Sequence, residues 1–327
     1  MATDKVVENA KDGYFTLNDG TLHPTRGFGT YKLGVIPASA SGSGGVARIL
    51  EEDVTEIVKL ACDTGYRFFD CAEFYEQEDR VGEAIKSCGV PRESLFIASK
   101  VWTTAIYEGP EAVRKQAMQS MSKLGVTYLD LYLLHWPVPG KHVAAYKELE
   151  KMKDEGLIKS IGVSNYTIED AKELESSGIK YFPAVNQIEV NPLVFRSKTI
   201  KYFQSKGTLI QAYRSLGNGK LLQNDFLLEL AEKYERKIVQ ILGRFLLQQG
   251  ICPLAKSSKP SRIQDNFDIT GFNIENADIE SLINMTTEET LIQRAELYKK
   301  CIIRDTPLAE MQKNNEEVGI REEFTIH

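Results

Sequence analysis

The chain has 327 residues, 42% of them hydrophobic and 26% charged, a balance that buries a large core and argues against a disordered chain. The net charge is −6 with no Lys/Arg-rich block, which argues against nucleic acid and acidic membrane surfaces as partners. The five cysteines share no metal-ligand spacing and read as reduced thiols of a cytoplasmic protein. The first residues lack a signal peptide's apolar run, and no stretch approaches the roughly 20 apolar residues of a membrane span.

Residues 1–24 read as a polar lead and a small hairpin turning at Asn18–Asp19–Gly20. A first strand is expected near Arg26–Tyr31, followed by the Gly/Ser-rich stretch Gly34–Arg48, expected to be a mobile loop. From Glu51 a unit begins that repeats: an amphipathic helix, a glycine, a few residues, then a short apolar strand. Val54, Ile57, Val58 and Ala61 fall at helical spacing, acids fill the first turn, and Gly65 supplies a left-handed C-terminal residue before the strand Tyr66–Cys71. The same punctuation recurs at Gly89, Gly125, Gly156, Gly178, Gly207 and Gly250. The apolar runs that follow are Leu95–Ile97, Leu129–Leu134, Ser160–Val163, Ala184–Ile188, Leu209–Ala212 and Cys252–Ala255. Eight strands alternating with helices predict a closed parallel (β/α)8 barrel, the TIM barrel, as one domain over 1–327. A doubly wound sheet also alternates, but no Gly-x-Gly-x-x-Gly turn follows any strand. Beyond about Glu289 the strands stop. A charged tail, 289–327, remains, with apolar anchors at Leu291, Leu297, Ile302, Ile303, Leu308, Ile320 and Phe324.

Chemistry in such a barrel sits at the C-terminal ends of the strands. Those ends carry Asp70 (with Tyr75 five residues on), Lys100, His135, Ser164–Asn165, Gln187, Tyr213 and Lys256–Ser257. Any one of them alone is ordinarily a solvated side chain or a satisfied core histidine. Polar groups at the same end of seven strands need a joint explanation, and a site supplies it. Asp70, Lys100 and Tyr75 suit a proton relay: an ammonium beside a phenol favours its phenolate and pulls its pKa down, while a carboxylate keeps the ammonium charged. A histidine beside them can hydrogen-bond a carbonyl oxygen. No side chain supplies hydride, so a cofactor is implied. Cys71 follows Asp70 but points the other way by alternation, into the core.

The stretches GYRFFDCAEFY (65–75), VGEAI (81–85), LFIASKVW (95–102), LYLLHWP (131–137), IGVSNY (161–166), AVNQIEVNP (184–192) and KSSKPSRIQDN (256–266) follow one another within roughly residues 14–285. Together they resemble the aldo-keto reductase family. The resemblance implies NADPH-dependent reduction of small aldehydes or ketones, aldoses among them, to alcohols. It makes Asp70, Tyr75, Lys100 and His135 the catalytic tetrad, with Tyr75 as general acid. It puts Ser164, Asn165 and Gln187 on the nicotinamide amide and Tyr213 against the nicotinamide ring. Lys256, Ser257, Arg262 and Asn266 fall at the adenosine end, the first three facing the 2′-phosphate of NADP. Gly29, Thr30, Ser215 and Leu216 complete the cofactor set, and Tyr31, Trp102 and Trp136 match substrate-pocket positions. The tail corresponds to a C-terminal loop over the barrel mouth, among the segments that set substrate choice. The expected assembly is a monomer or weak dimer with a small-molecule carbonyl as its partner.

Several positions depart from the family pattern. Tyr213–Arg214–Ser215–Leu216 stands where Tyr-Ser-Pro-Leu is usual, Ala255 where proline is frequent, and Asp265 where glutamate is common. The loops after Pro137 and Leu216 are short, and Gly34–Arg48 is an insertion. Three other readings compete. A non-catalytic cofactor-binding or structural member would keep the site without turnover. Relatives that reduce carbon–carbon double bonds carry glutamate where His135 stands. A metal-dependent barrel hydrolase needs converging ligands, which His23, His135, His142 and His327 do not offer.

Overall fold

The architecture is that of a computed structural model, which describes residues 10–11, 13–38, 46–303 and 305. Three short strands come first: β1 (Ala10–Lys11), β2 (Tyr14–Thr16) and β3 (Leu22–Pro24), an antiparallel sheet in that order. β4 (Gly27–Gly29) opens the barrel. β5 (Val35–Ile36) and β6 (Arg48–Ile49) pair antiparallel, so the ends of the Gly/Ser-rich stretch form a hairpin rather than a plain loop; residues 39–45 lie outside the described residues. The remaining barrel strands are β7 (Phe68–Asp70), β8 (Phe96–Val101), β9 (Leu129–Leu134), β10 (Ile158–Ser164), β11 (Val185–Glu189), β12 (Leu209–Tyr213) and β13 (Ile251–Ala255). They close in the order β4-β7-β8-β9-β10-β11-β12-β13, and every pair is parallel.

The two faces of each strand divide the core. Phe69, Ile97, Tyr132, Leu134, Ile161, Val163, Ile188 and Ile210 belong to the large apolar layer shared with the surrounding helices. Their alternate neighbours Phe68, Phe96, Ala98, Leu131, Leu133, Val185, Leu209 and Leu254 fill the barrel itself. A two-residue period accounts for the split, and for runs that look uniformly apolar. At Gly162 no side chain fits: a Cβ there would lie 2.5 Å from the Val185 carbonyl oxygen. The helix Val54–Thr64 stops at Gly65, whose φ of 116° leaves its N–H free to bond Ala61 and Cys62 carbonyls.

The first hairpin seals the N-terminal end of this interior. Phe15 and Leu17 join the barrel filling, and His23 meets Phe68 and Phe96 edge-on at 4.7 and 4.5 Å. The other end is covered differently. The tail starts as a helix, Glu288–Ile303, where a loop was expected; its anchors Leu308, Ile320 and Phe324 lie outside the described residues. Leu291, Ala295, Tyr298, Cys301 and Ile302 of that helix are buried. No helix among the described residues is long and apolar enough to cross a membrane.

His23 is the polar member of the seal. Its Nδ1 lies 2.7 Å from the Pro24 carbonyl oxygen and must donate, which leaves Nε2 to accept from the Gln211 amide at 2.8 Å. Burial holds its pKa down to about 3. Between pH 3 and 6.5 the unfolded chain therefore binds a proton that the folded chain refuses, so this group's contribution makes stability rise with pH across that window. His23→Phe should strand the Gln211 amide and cost about 1–3 kcal/mol near neutral pH. It should also flatten the acid limb of stability measured by urea unfolding from about pH 4 to about pH 8. An unchanged acid limb would show that other groups set it.

Candidate active site

At or just beyond the C-terminal ends of β7 to β12 stand the polar side chains Asp70, Lys100, His135, Ser164, Gln187 and Tyr213, and these converge. Asp70 ends β7 and Lys100 stands near the end of β8. The Lys100 ammonium donates to Asp70 Oδ1 at 2.7 Å, to the Cys71 carbonyl at 2.8 Å and to the Tyr75 hydroxyl at 3.2 Å. Three protons meet three acceptors, which is what lets a lysine side chain sit at 0% exposure. A single 3-10 turn, Glu73–Tyr75, folds the chain back so that the phenol reaches this ammonium. His135 directly follows β9; its ring stands 6.0 Å from that of Tyr75 and 4.9 Å, perpendicular, from that of Trp102. Burial and the Lys100 charge hold His135 far below the usual imidazole pKa, so it is neutral, and its Nδ1 has no hydrogen-bond partner among the described residues.

The expected lowering of the Tyr75 pKa is not found. Burial, then the Asp70 charge, raises the phenol well above its ordinary value. The Lys100 charge is already paired with Asp70 at 2.7 Å, so the phenol faces a nearly neutral pair from inside a low-dielectric wall.

Asn165 takes a left-handed backbone, φ 63°, a conformation that asparagine tolerates better than most residues. Its amide donates to the His135 carbonyl at 3.1 Å, and its Oδ1 accepts from the Tyr213 hydroxyl at 2.5 Å. Ser164 donates to the Gln187 carbonyl. Gln187 donates to both Asp70 Oδ1 and Gln211 Oε1 at 2.8 Å. One unbroken polar column thus runs up the barrel axis: His23, Gln211, Gln187, Asp70, Lys100, Tyr75. Gln211 went unnoticed in the sequence, though a lone amide in the middle of LIQAY at an inward position is the signal that marks it.

Above the column opens a cavity of about 740 Å³. Tyr75, His135, Tyr31, Trp102 and Trp136 line one part, and Asn165, Gln187, Tyr213, Ser215 and Leu216 its wall. Gly29, Lys256 and Asn266 line it as well. Trp102 stacks on Phe74 at 3.9 Å. Four predicted cofactor residues do not line it. Thr30 and Ser164 spend their hydroxyls inside the barrel, on the Asp70 and Gln187 carbonyls. Ser257 accepts from the Lys259 N–H, and Arg262 is exposed on the first turn of the helix Pro260–Phe267. Burial lowers the Lys256 pKa, with Glu52 at 3.9 Å as its counter-charge. Asp265 is held by Lys237.

The tail helix contributes more than sequence reasoning assigned to it. Arg294, Leu297, Tyr298 and Cys301 share the face that meets the mouth: Leu297 and Cys301 line the cavity, and Tyr298 donates to Asp170 at 2.8 Å. Arg294 donates to Asn165 Oδ1 at 2.9 Å and to the Tyr213 hydroxyl at 2.8 Å. Beyond the helix, the Asp305 carboxylate accepts from Trp102 Nε1 at 2.7 Å and from the Thr103 hydroxyl at 2.6 Å. The spacing 294, 297, 298, 301 is helical and was available as a signal.

The Aldo/keto reductase family model matches residues 27–285. An aldo-keto reductase of Mycolicibacterium smegmatis is 37% identical over 279 residues, which covers 84% of this chain and 94% of that one. The glyoxal reductase of Bacillus subtilis is 37% identical over 238 residues, 72% of this chain and 85% of its own. The crystal structure of an aldo/keto reductase from Brucella melitensis superposes with a TM-score of 0.73 at 31% identity, covering 83% and 98% of the two chains. The chain belongs to the aldo/keto reductase family of oxidoreductases.

Asp305 ties the tail to an aromatic wall of the cavity. Asp305→Ala should leave folding intact and change kcat/KM several-fold, unequally across a panel of aldehydes, because only some substrates press on Trp102. An equal change for all aldehydes, or none, would make the tie purely structural.

Proposed function

We propose that the protein is a cytoplasmic NADPH-dependent reductase of small aldehydes and ketones, with Tyr75 as proton donor. The observation that carries this reading is the buried contact of Asp70, Lys100 and Tyr75 beside a cavity that Tyr75 and Lys256 both line. The Bacillus subtilis relative is a glyoxal reductase, and glyoxal is a small aldehyde. The buried cysteines fit a reducing compartment.

The residues fit the cofactor. One cavity of about 740 Å³ is lined by Tyr75, Lys256 and Asn266 alike, and Tyr213 offers a ring on its wall. With both amide protons of Gln187 engaged, only its Oε1 remains to face a carboxamide N–H. Lys256 and Arg262, with Ser257, would take the 2′-phosphate; Lys256 has only a distant carboxylate to satisfy it. When bound, NADPH supplies the hydride. The protein's own part is to hold the carbonyl oxygen against Tyr75 and the His135 N–H while charge grows on it. Tyr75 releases its proton to that oxygen, Lys100 then faces the phenolate, and Asp70 keeps Lys100 charged and in place. Tyr31, Trp102 and Trp136 shape an apolar pocket that excludes water around the reacting carbonyl.

Tyr75→Phe keeps the volume and removes the donor. Aldehyde reduction followed by NADPH absorbance should fall by roughly 10²–10⁴, with NADPH affinity within a few-fold of wild type. Wild-type turnover in this variant would sink the assignment, and absence of turnover in the wild type against a broad panel would favour a binding or structural role. Arg262→Ala should weaken NADPH by about 1.5–3 kcal/mol, the range for a hydrogen bond to a charged group, and leave NADH nearly unchanged. Equal losses for both cofactors in a fluorescence titration would make Arg262 structural.

A further inference from the structure

Beside the main cavity lies a second, of about 210 Å³, between the tail helix Glu288–Ile303 and the segment that follows β12. Three cationic side chains line it, Arg214, Lys220 and Arg294, against one carboxylate, Glu189. The two guanidinium groups share a single oxygen of that carboxylate: Arg214 Nη1 reaches Glu189 Oε2 at 3.1 Å and Arg294 Nε lies 3.3 Å from it. The local charge therefore stays positive. Arg294 is only 3% exposed, and its Nη1 has no hydrogen-bond partner among the described residues. A buried charged N–H left unmade is costly, and an anion with two oxygens is the ligand that best removes that cost.

We propose that this side cavity is an oxyanion site that takes a carboxylate or phosphate group. It opens toward the reaction cavity, with which it shares Arg214, Asn218 and Leu297. The anion is then either free in solution or the acidic end of a substrate whose carbonyl lies over Tyr75. In the second case an acid group would decide which carbonyl compounds bind well, while the aromatic pocket accepts the carbonyl end. Glu189 keeps its place in this arrangement, since without it three cations would repel one another around an empty site.

Two measurements on the full chain test the proposal. The first is calorimetric titration with sodium phosphate against sodium chloride at matched ionic strength, in wild type, Lys220→Gln, Arg214→Gln and Arg294→Gln. The second compares kcat/KM for benzaldehyde and 4-carboxybenzaldehyde in the same proteins. Lys220 and Arg214 are exposed, so their variants remain informative if Arg294→Gln fails to fold. Phosphate should bind the wild type more tightly than chloride, and each variant should lose at least about threefold in phosphate affinity. Wild type should prefer the carboxylated aldehyde by about tenfold if the anion belongs to the substrate, and the variants should erase that preference. Weakened phosphate binding with an unchanged aldehyde ratio identifies a free-anion site. Phosphate affinity and aldehyde ratio that are both the same in wild type and every variant overturn the proposal. The aldehyde arm rests on the reductase reading and the phosphate arm does not, so lack of turnover on both aldehydes counts against that reading alone.

Discussion

Lys100 carries its charge at 0% exposure, and a charge so placed survives only when every one of its protons is met. Much of the barrel's interior follows from that demand. Asp70 must stand within hydrogen-bond distance, so β7 and β8 are adjacent and in a register that pairs Asp70 with Ala98, two positions before Lys100. Asp70 Oδ1 accepts from Gln187 as well as from Lys100. The second proton of the Gln187 amide goes to Gln211, and the Gln211 amide goes to His23. Each group fixes the orientation of the next, and the series ends on the backbone carbonyl of Pro24. Removal of any interior member leaves a buried donor or acceptor unpaired, which costs more than the bond itself contributes. The hairpin at the bottom of the barrel is thereby tied to the lysine at the top.

The tail helix closes the mouth by a different logic. Its apolar residues join Phe74, Tyr75, Trp102 and Trp136 in one cluster, so the roof of the site is held by the same aromatic surface that would receive a substrate. Polar ties at Arg294, Tyr298 and Asp305 fix where the roof sits. Arg294 is the incompletely satisfied element of this set, with its Nη1 unpartnered among the described residues. It bonds the two residues, Asn165 and Tyr213, that the cofactor reading assigns to the nicotinamide. On that reading, binding there and the seating of the tail helix would be coupled through one guanidinium.

The eight strands were legible because a period of two and a glycine after each helix are local properties, and the structure keeps them within a few residues. Asp70, Lys100 and His135 stood out for the same reason, each at or near the end of an apolar run where a core residue was due, and Tyr75 stood out as the phenol five residues past Asp70. His23 and Gln211 were not. A glutamine inside a strand does not say which partner answers it, and the partner lies 188 residues away. Arg294 was hidden by its company, since Glu289, Glu296, Lys299 and Lys300 around it read as a solvated surface. The sign of the Tyr75 shift was missed because it depends on a contest between burial and charge, and only coordinates show that Asp70 has already claimed the ammonium.

That raised phenol is compatible with a proton donor. A group that held a low pKa in the resting site would lose its proton before any carbonyl arrived, and an ionised tyrosine cannot donate. Tyr75 stays protonated because the wall around it is dry and Asp70 stands behind Lys100. The carbonyl oxygen is a feeble base at first and a strong one as its bond is reduced, so the acceptor changes during the reaction, and a weak acid suffices once it has changed. In the proposed reaction the Lys100 ammonium would then meet a phenolate at a contact that is already 3.2 Å long in the resting site. No reorganisation would be needed at that moment, and its absence would be the source of the stabilisation such a fixed charge can give.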